Sequence, residues 1–214
     1  MKIIVFGATG DIGSKTVAEA LRRGHKVTAV ARSTERLAAL KGDMTRVAHD
    51  LIQKPEVIHD LTAGHDAAIS ALRPASGHEA QLVPLTQAVL IAAEVADVPI
   101  YVTGGAATLK LTDDGEHTVL SAPNFLPDDI RPIAEACAAQ DRVLNDHPGA
   151  NWTCLRPPAM LDGGMRTGRY ALGRDALVTD DQGNSSISYA DFAVALLDLA
   201  ELQPRPGARL TVGR

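Results

Sequence analysis

Seven residues near the start of the chain carry its clearest chemistry. Gly7-Ala-Thr-Gly10-Asp-Ile-Gly13 places three glycines at three-residue intervals, directly after an apolar run and directly before a helical pattern. Each glycine has a task in a dinucleotide turn: Gly7 allows the tight turn, Gly10 lets the backbone approach a pyrophosphate, and Gly13 lets helix and strand pack closely. The main chain through Thr9, Asp11 and Ile12 then points unpaired N–H groups and the positive end of the helix at the anion. The bland alternative is a glycine-rich turn that only closes a strand–helix unit. A triphosphate loop is excluded, because Ser14 separates Gly13 from Lys15 and Lys15 falls inside the helix.

Two further positions bear on which dinucleotide binds. NAD-selective folds place an acid at the end of the second strand for the ribose hydroxyls. Here that strand ends Ala31-Arg32-Ser33. A guanidinium at Arg32 pairs with a 2′-phosphate at two points, whereas an acid would repel it. The expected cofactor is therefore NADP, with NAD admissible because Glu35 stands close by. Arg32 as an ordinary surface charge is the other reading. Asp50, followed by Leu51, lies just past the third strand, where it would accept from the adenine amino group or cap the next helical turn.

The chemistry that is absent narrows the field. No tyrosine stands in a Tyr-x-x-x-Lys pair: Tyr101 lies in a strand pattern, Tyr170 is followed by Arg174, and Tyr189 by Ala193. No Gly-x-Ser-x-Gly elbow offers a hydrolase nucleophile. The histidines show no metal-ligand spacing, and Cys137 and Cys154 are too few for a cysteine-rich metal cluster, so no metal is expected. Asp113-Asp114 and Asp128-Asp129 read as solvated loop faces.

The elements that position these residues alternate strand and helix. Strand patterns fall at Lys2–Phe6, Lys26–Ala31, Arg46–His49, Asp66–Leu72, Pro99–Thr103, Trp152–Arg156 and Arg209–Val212. Helical patterns run over Asp11–Arg23, Thr34–Leu40, Pro55–Leu61, Glu79–Asp97, Arg131–Asn145 and Ser188–Leu202, with Pro84 at the start of the fourth or kinking it. This alternation demands an α/β fold, a Rossmann-like, doubly wound parallel sheet covered on both faces, in one domain spanning 1–214. Two stretches, 104–130 and 159–187, resist the pattern and read as substrate-side lids or binding loops. The chain of 214 residues has room for one such domain, and its net charge of −5 with no basic run disfavours nucleic acid. No apolar stretch reaches membrane-helix length and Met1 runs straight into a strand, so a cytoplasmic location without membrane association is expected. The oligomeric state stays open.

With these residues in place, the chain resembles the atypical short-chain dehydrogenases grouped as NAD(P)H-flavin reductases, related to NmrA-like proteins and biliverdin reductase B. The similarity extends beyond the glycine turn to Val102-Thr-Gly-Gly-Ala-Ala-Thr-Leu109, Trp152-Thr-Cys-Leu-Arg-Pro-Pro158, Arg166-Thr-Gly-Arg-Tyr170, Ile187-Ser-Tyr-Ala-Asp-Phe192 and Leu210-Thr-Val-Gly213. It implies that Ser70, Ala71, Leu72 and Arg73 line the dinucleotide near its ribose. Thr103, Gly104 and Gly105, with Ala106, would face the nicotinamide, and Pro157 would approach the same ring. Ala106 departs from biliverdin reductase B, which carries a serine in that segment, and this disfavours bilin reduction. The implied activity is hydride transfer from NADPH to a free flavin, bound as a substrate, or to a similar small conjugated acceptor. The alternative is an NmrA-like sensor that binds dinucleotide without catalysis.

Overall fold

A computed structural model describes residues 1–204 and 206–214. Lys2–Phe6 forms β1, whose side chains alternate between two cores. Ile3 and Val5 join one cluster, Ile4 and Phe6 the other, and all four are fully buried. A strand buried on both faces belongs at the centre of a sheet, and β1 lies between two parallel neighbours.

The remaining strands are β2 (Lys26–Ala31), β3 (Thr45–Ala48), β4 (Ala67–Ser70), β5 (Ile100–Thr103), β6 (Trp152–Arg156), β7 (Met160–Asp162), β8 (Ala171–Gly173), β9 (Ser186–Ser188) and β10 (Ala208–Gly213). Among the described residues, eight of these ten strands form one sheet in the order β3-β2-β1-β4-β5-β6-β10-β8, parallel except for the edge strand β8. The chain builds outward from β1 to β3, then returns to place β4 on the other side of β1. The loops after β1 and β4 therefore diverge and open a crevice at the carboxyl edge, the doubly wound Rossmann arrangement.

Helices α1 (Asp11–Arg22), α2 (Thr34–Ala38) and α6 (Tyr189–Leu202) cover the Ile3/Val5 face, with Val17, Leu37 and Phe192 in the shared core. Helices α3 (Val57–Thr62), α4 (Leu82–Ala96) and α5 (Arg131–Asn145) cover the other, through Ile58, Val89 and Leu144. Pro84 is the third residue of α4 and does not kink it, since N–H groups of the first turn have no helical acceptor to lose. A short 3₁₀ turn, Glu79–Gln81, precedes it where the pattern suggested continuous helix.

The two irregular stretches are built segments rather than free loops. The first contains a 3₁₀ turn at Ala106–Thr108 and buries Leu109, Val119 and Ala122. The second contains β7, β8 and β9, with β7 and β9 paired in a separate parallel ladder. Runs of three residues are too short to show alternation, so their sequences carried no strand signal. The stretches are tied to each other: Lys110 N donates to Asp175 O at 2.8 Å and Leu177 N to Lys110 O at 2.9 Å. Among the described residues no helix is long and apolar enough to cross a membrane.

Candidate functional site

Strand register sets the site. Val47, Val30, Phe6, Ser70, Val102 and Cys154 stand side by side across six strands. The loops that follow them leave from one edge, and this brings Gly7, Arg32, Asp50, Ala71, Thr103 and Pro157 to the same side of the sheet.

The glycine turn divides its three glycines between two tasks. A Cβ on Gly7, at φ +76°, would lie 2.5 Å from Ala71 O, and one on Gly13 only 2.1 Å from Gly7 O. Both glycines are required by the protein itself: Gly7 by the turn and the approach of the β4 loop, Gly13 by helix–strand packing. Gly10 is different. Its φ of −78° and ψ of 176° suit any residue, and a Cβ there would meet only Gly7 O, at 3.4 Å. The open face of Gly10 fronts the start of α1, which has no side-chain cap. Among the described residues nothing accepts from the N–H groups of Asp11, Ile12 and Gly13; Ser14 N is the first with a helical acceptor, Gly10 O at 2.9 Å. Backbone donors facing a space that a Cβ would fill make a cradle for a phosphate. Lys15 is exposed, away from any phosphate loop.

At the end of β2, Arg32 is exposed. Ser33 caps α2 by accepting from Arg36 N at 3.1 Å, and it donates to Glu35 Oε2 at 2.8 Å. That bond from Ser33, with the Glu35 backbone, holds the Glu35 carboxyl below its ordinary value. Glu35 is thereby occupied locally rather than free for a ribose. Arg36, which the sequence reading passed over, donates its guanidinium to Thr9 O in the glycine turn. Two arginines therefore flank the β2 side of the cradle. Arg36 is the third residue of α2, and no spacing in the sequence marks it; the fold brings it to the glycine turn.

Asp50 caps the turn after β3, accepting from Ile52 N at 2.9 Å and Gln53 N at 3.3 Å through Oδ1. The capping reading of Asp50 is therefore realised, and its second oxygen is outside that cap. Leu51 beside it is buried. Ser70 and Ala71 are buried at the end of β4, Leu72 is half-buried and Arg73 exposed.

Thr103 ends β5 with its Oγ1 buried and, among the described residues, without a hydrogen-bond partner. A buried hydroxyl left unpaired is costly, and a polar ligand at this edge would satisfy it. Gly104 and Gly105 owe their identity to packing: a Cβ would lie 2.7 Å from Cys154 Sγ in one case and 2.5 Å from Cys137 Sγ in the other. Burial pushes the Cys137 thiol up to about 11 and the Cys154 thiol up to about 12, so neither is a ready nucleophile. Pro157 is buried at the end of β6.

The blocks Arg166–Tyr170 and Ser188–Asp191 prove to be halves of one lock. Fully buried Asp191, in the first turn of α6, accepts from Thr167 N at 2.8 Å, Thr167 Oγ1 at 2.7 Å and Gly168 N at 2.7 Å. Ser188 caps α6 by accepting from Asp191 N at 3.0 Å. Arg166 reaches Glu19 on α1 at 2.8 and 3.0 Å, where Arg22 and Arg23 also bind. Hydrogen bonds from Arg22, then Arg166 and Arg23, hold the Glu19 carboxyl far below its ordinary value despite opposing burial. The Tyr170 hydroxyl donates to Asp198 Oδ2, and burial together with that carboxylate pushes its pKa up. Tyr101 is buried in the core. Neither side chain is placed to deliver a proton at the carboxyl edge.

Comparison with known proteins agrees with this geometry. The family model described as NAD(P)H-binding matches residues 7–201. The uncharacterised protein YwnB of Bacillus subtilis (strain 168) is 31% identical over 214 residues, covering 99% of this chain and 98% of its own. A crystal structure from Burkholderia pseudomallei, described as a "putative exported protein", superposes with a TM-score of 0.87 at 33% identity and covers 100% of both chains. One from Streptococcus pneumoniae TIGR4, described as a "putative NADH-flavin reductase", gives 0.89 at 29% identity, covering 100% of this chain and 99% of that one. The glycine cradle, the edge built around it and a family match over nearly the whole length converge, and the chain belongs to the NAD(P)H-binding family.

Proposed function

We propose that the protein is a reductase that takes NADPH in preference to NADH and passes hydride to a free flavin or a similar conjugated acceptor. The observation that carries the reading is Gly10: it alone of the three glycines in the turn has no need of its identity within the protein, and it fronts three free N–H donors. Asp11, Ile12 and Gly13 would hold the pyrophosphate through those donors. Arg32 and Arg36 would take the 2′-phosphate, and Thr103 Oγ1 would bond the carboxamide end. Bound there, the nicotinamide supplies a hydride, which a ring able to delocalise the charge accepts while drawing its proton from water. The lack of a Tyr-x-x-x-Lys pair supports such an acceptor over a simple ketone. The residues at the edge then act mainly by holding two rings in register. The neighbour described as a "putative NADH-flavin reductase" supports the flavin acceptor.

The test is NADPH consumption by the purified chain with and without FMN, FAD or riboflavin. Turnover only with added flavin, from a colourless protein, is the expected result. Firm NADPH binding with no turnover on any flavin or quinone would replace the reductase by a dinucleotide sensor.

A further inference from the structure

Arg73 stands three residues past Ser70, the last residue of β4. The register sets Ser70 beside Val102, and Gly105 is likewise three residues past Val102, so the two loops leave the carboxyl edge together. Pro74 behind Arg73 is buried, and a residue before proline is held extended, so Arg73 projects from a constrained backbone. Its side chain is exposed, and among the described residues no carboxylate lies within ion-pair distance of it. Two neighbours locate its charge. Burial pushes the Cys137 thiol up, and the Arg73 guanidinium works against that rise. The Glu79 carboxyl, lowered first by its own backbone N–H and that of Gly77, is lowered further by His78 and Arg73. Cys137 is on α5, where a Cβ on Gly105 would lie 2.5 Å from its sulfur, and Glu79 opens the 3₁₀ turn before α4. Leu82 of α4 packs there with Ile133, Ala136 and Cys137 of α5. The guanidinium therefore lies on the α4–α5 side of the edge, close to Gly105.

That is the face of the sheet opposite α1. The donors for the dinucleotide's phosphates, the first N–H groups of α1 with Arg32 and Arg36, gather where β1 and β2 end, whereas β4 and β5 lie on the other side of β1. A nicotinamide beside Gly105 brings no anion to that place, since its ring is neutral when reduced and positive when oxidised. A guanidinium there finds a negative partner only if the second substrate carries one. We infer that Arg73 binds an anionic group, a phosphate or a carboxylate, on the acceptor, and so makes the acceptor site selective for FMN over riboflavin. The inference rests on the reductase reading.

Titration of FMN and of riboflavin into the NADP⁺-saturated protein, followed by flavin fluorescence, tests it without turnover. Saturating NADP⁺ keeps the flavin phosphate out of the cradle at α1. The unmodified protein should bind FMN about 10-fold or more tightly than riboflavin, and Arg73→Ala should erase that difference. Arg73→Lys should retain part of it, because a point charge remains without the guanidinium fork. No preference for FMN in the unmodified protein, or a preference that survives Arg73→Ala, would overturn the inference. So would an Arg73→Ala protein whose NADPH affinity falls as far as its FMN affinity, since the guanidinium would then belong to the dinucleotide. NADPH oxidation by the same proteins separates the two readings. An FMN preference that depends on Arg73, without any turnover, would overturn the reductase and support the anion contact.

Discussion

Replacing Gly10 by Val separates a glycine the ligand needs from glycines the fold needs. The backbone at Gly10 is extended at φ −78° and ψ 176°, so valine adopts it without strain. Its Cβ would sit 3.4 Å from Gly7 O, at the edge of ordinary contact. The loss in the free protein is then the cap preference of glycine over an aliphatic residue, about 1 kcal/mol. For a chain of this size that lowers the melting temperature by about 2–4 °C. The cofactor response is larger. At 100 times its dissociation constant, NADPH stabilises the unmodified protein by about 2.7 kcal/mol. At about 2–4 °C per kcal/mol, the melting temperature rises by roughly 5–11 °C. In Gly10→Val the added methyl groups occupy the phosphate's approach and that rise should vanish. Gly13→Ala is the contrast: its Cβ falls 2.1 Å from Gly7 O, so the free protein itself should melt well below the Gly10 variant. Differential scanning fluorimetry with and without NADPH reads all four quantities. A Gly10→Val protein that keeps the full NADPH response would refute the cradle. One that melts as low as Gly13→Ala without ligand would show that the fold needs that glycine too.

Arg32→Glu should reduce the ratio of NADPH to NADH affinity by about 10- to 150-fold, the equivalent of one charge-assisted contact of about 1.5–3 kcal/mol. Arg36→Ala should lower it in the same direction, and calorimetric titration of both cofactors checks the pair; equal affinities in the unmodified protein would remove the basis for both. Phe at Tyr101, Tyr170 or Tyr189 should slow flavin reduction by less than about 10-fold, since a positioned proton donor contributes 10²–10⁴; a loss of a thousandfold at any one would reveal a missed acid. Glu19 has a depressed carboxyl pKa, so its contribution to stability is fully present above the ordinary carboxylate range and is lost as pH falls toward its folded-state value. Urea unfolding of Glu19→Gln should therefore show a deficit at neutral pH that shrinks progressively under acid, and a deficit unchanged down to pH 2 would contradict that assignment.

Much of the framework was legible in the chain because its local signals agree. β1 is a β-branched run stopped by Gly7, α1 has Gly24 just past its last turn, and Ser188 announces α6. The edge that carries the site follows from strand order, and alternation of strand and helix dictates it. Other features needed the third dimension. For Gly104 and Gly105 the spacing does not show that a Cβ would meet the Cys154 and Cys137 side chains. Arg36 lies four residues past Arg32 in an exposed helix, and only the fold brings it to Thr9 O. Asp191 and Thr167 are separated by an irregular stretch, so nothing in spacing announced that one buried carboxylate gathers three donors from the other segment. The three-residue strands β7 to β9 exist through pairing partners, not through propensity.

The lock between Arg166–Tyr170 and helices α1 and α6 bears on how affinity for any ligand at this edge is divided. Fixing a residue's backbone costs about 1–2 kcal/mol of conformational entropy. For Thr167 and Gly168 the three donors bound to Asp191 already meet that cost during folding, and Arg166 is likewise committed to Glu19. Any ligand that meets these residues finds them immobilised and loses nothing to ordering them. This segment should then add no slow closing phase to association, which stopped-flow binding would show as a rate linear in ligand concentration. A rim that needs no reordering suits the proposed reductase, whose acceptor would leave after each turnover.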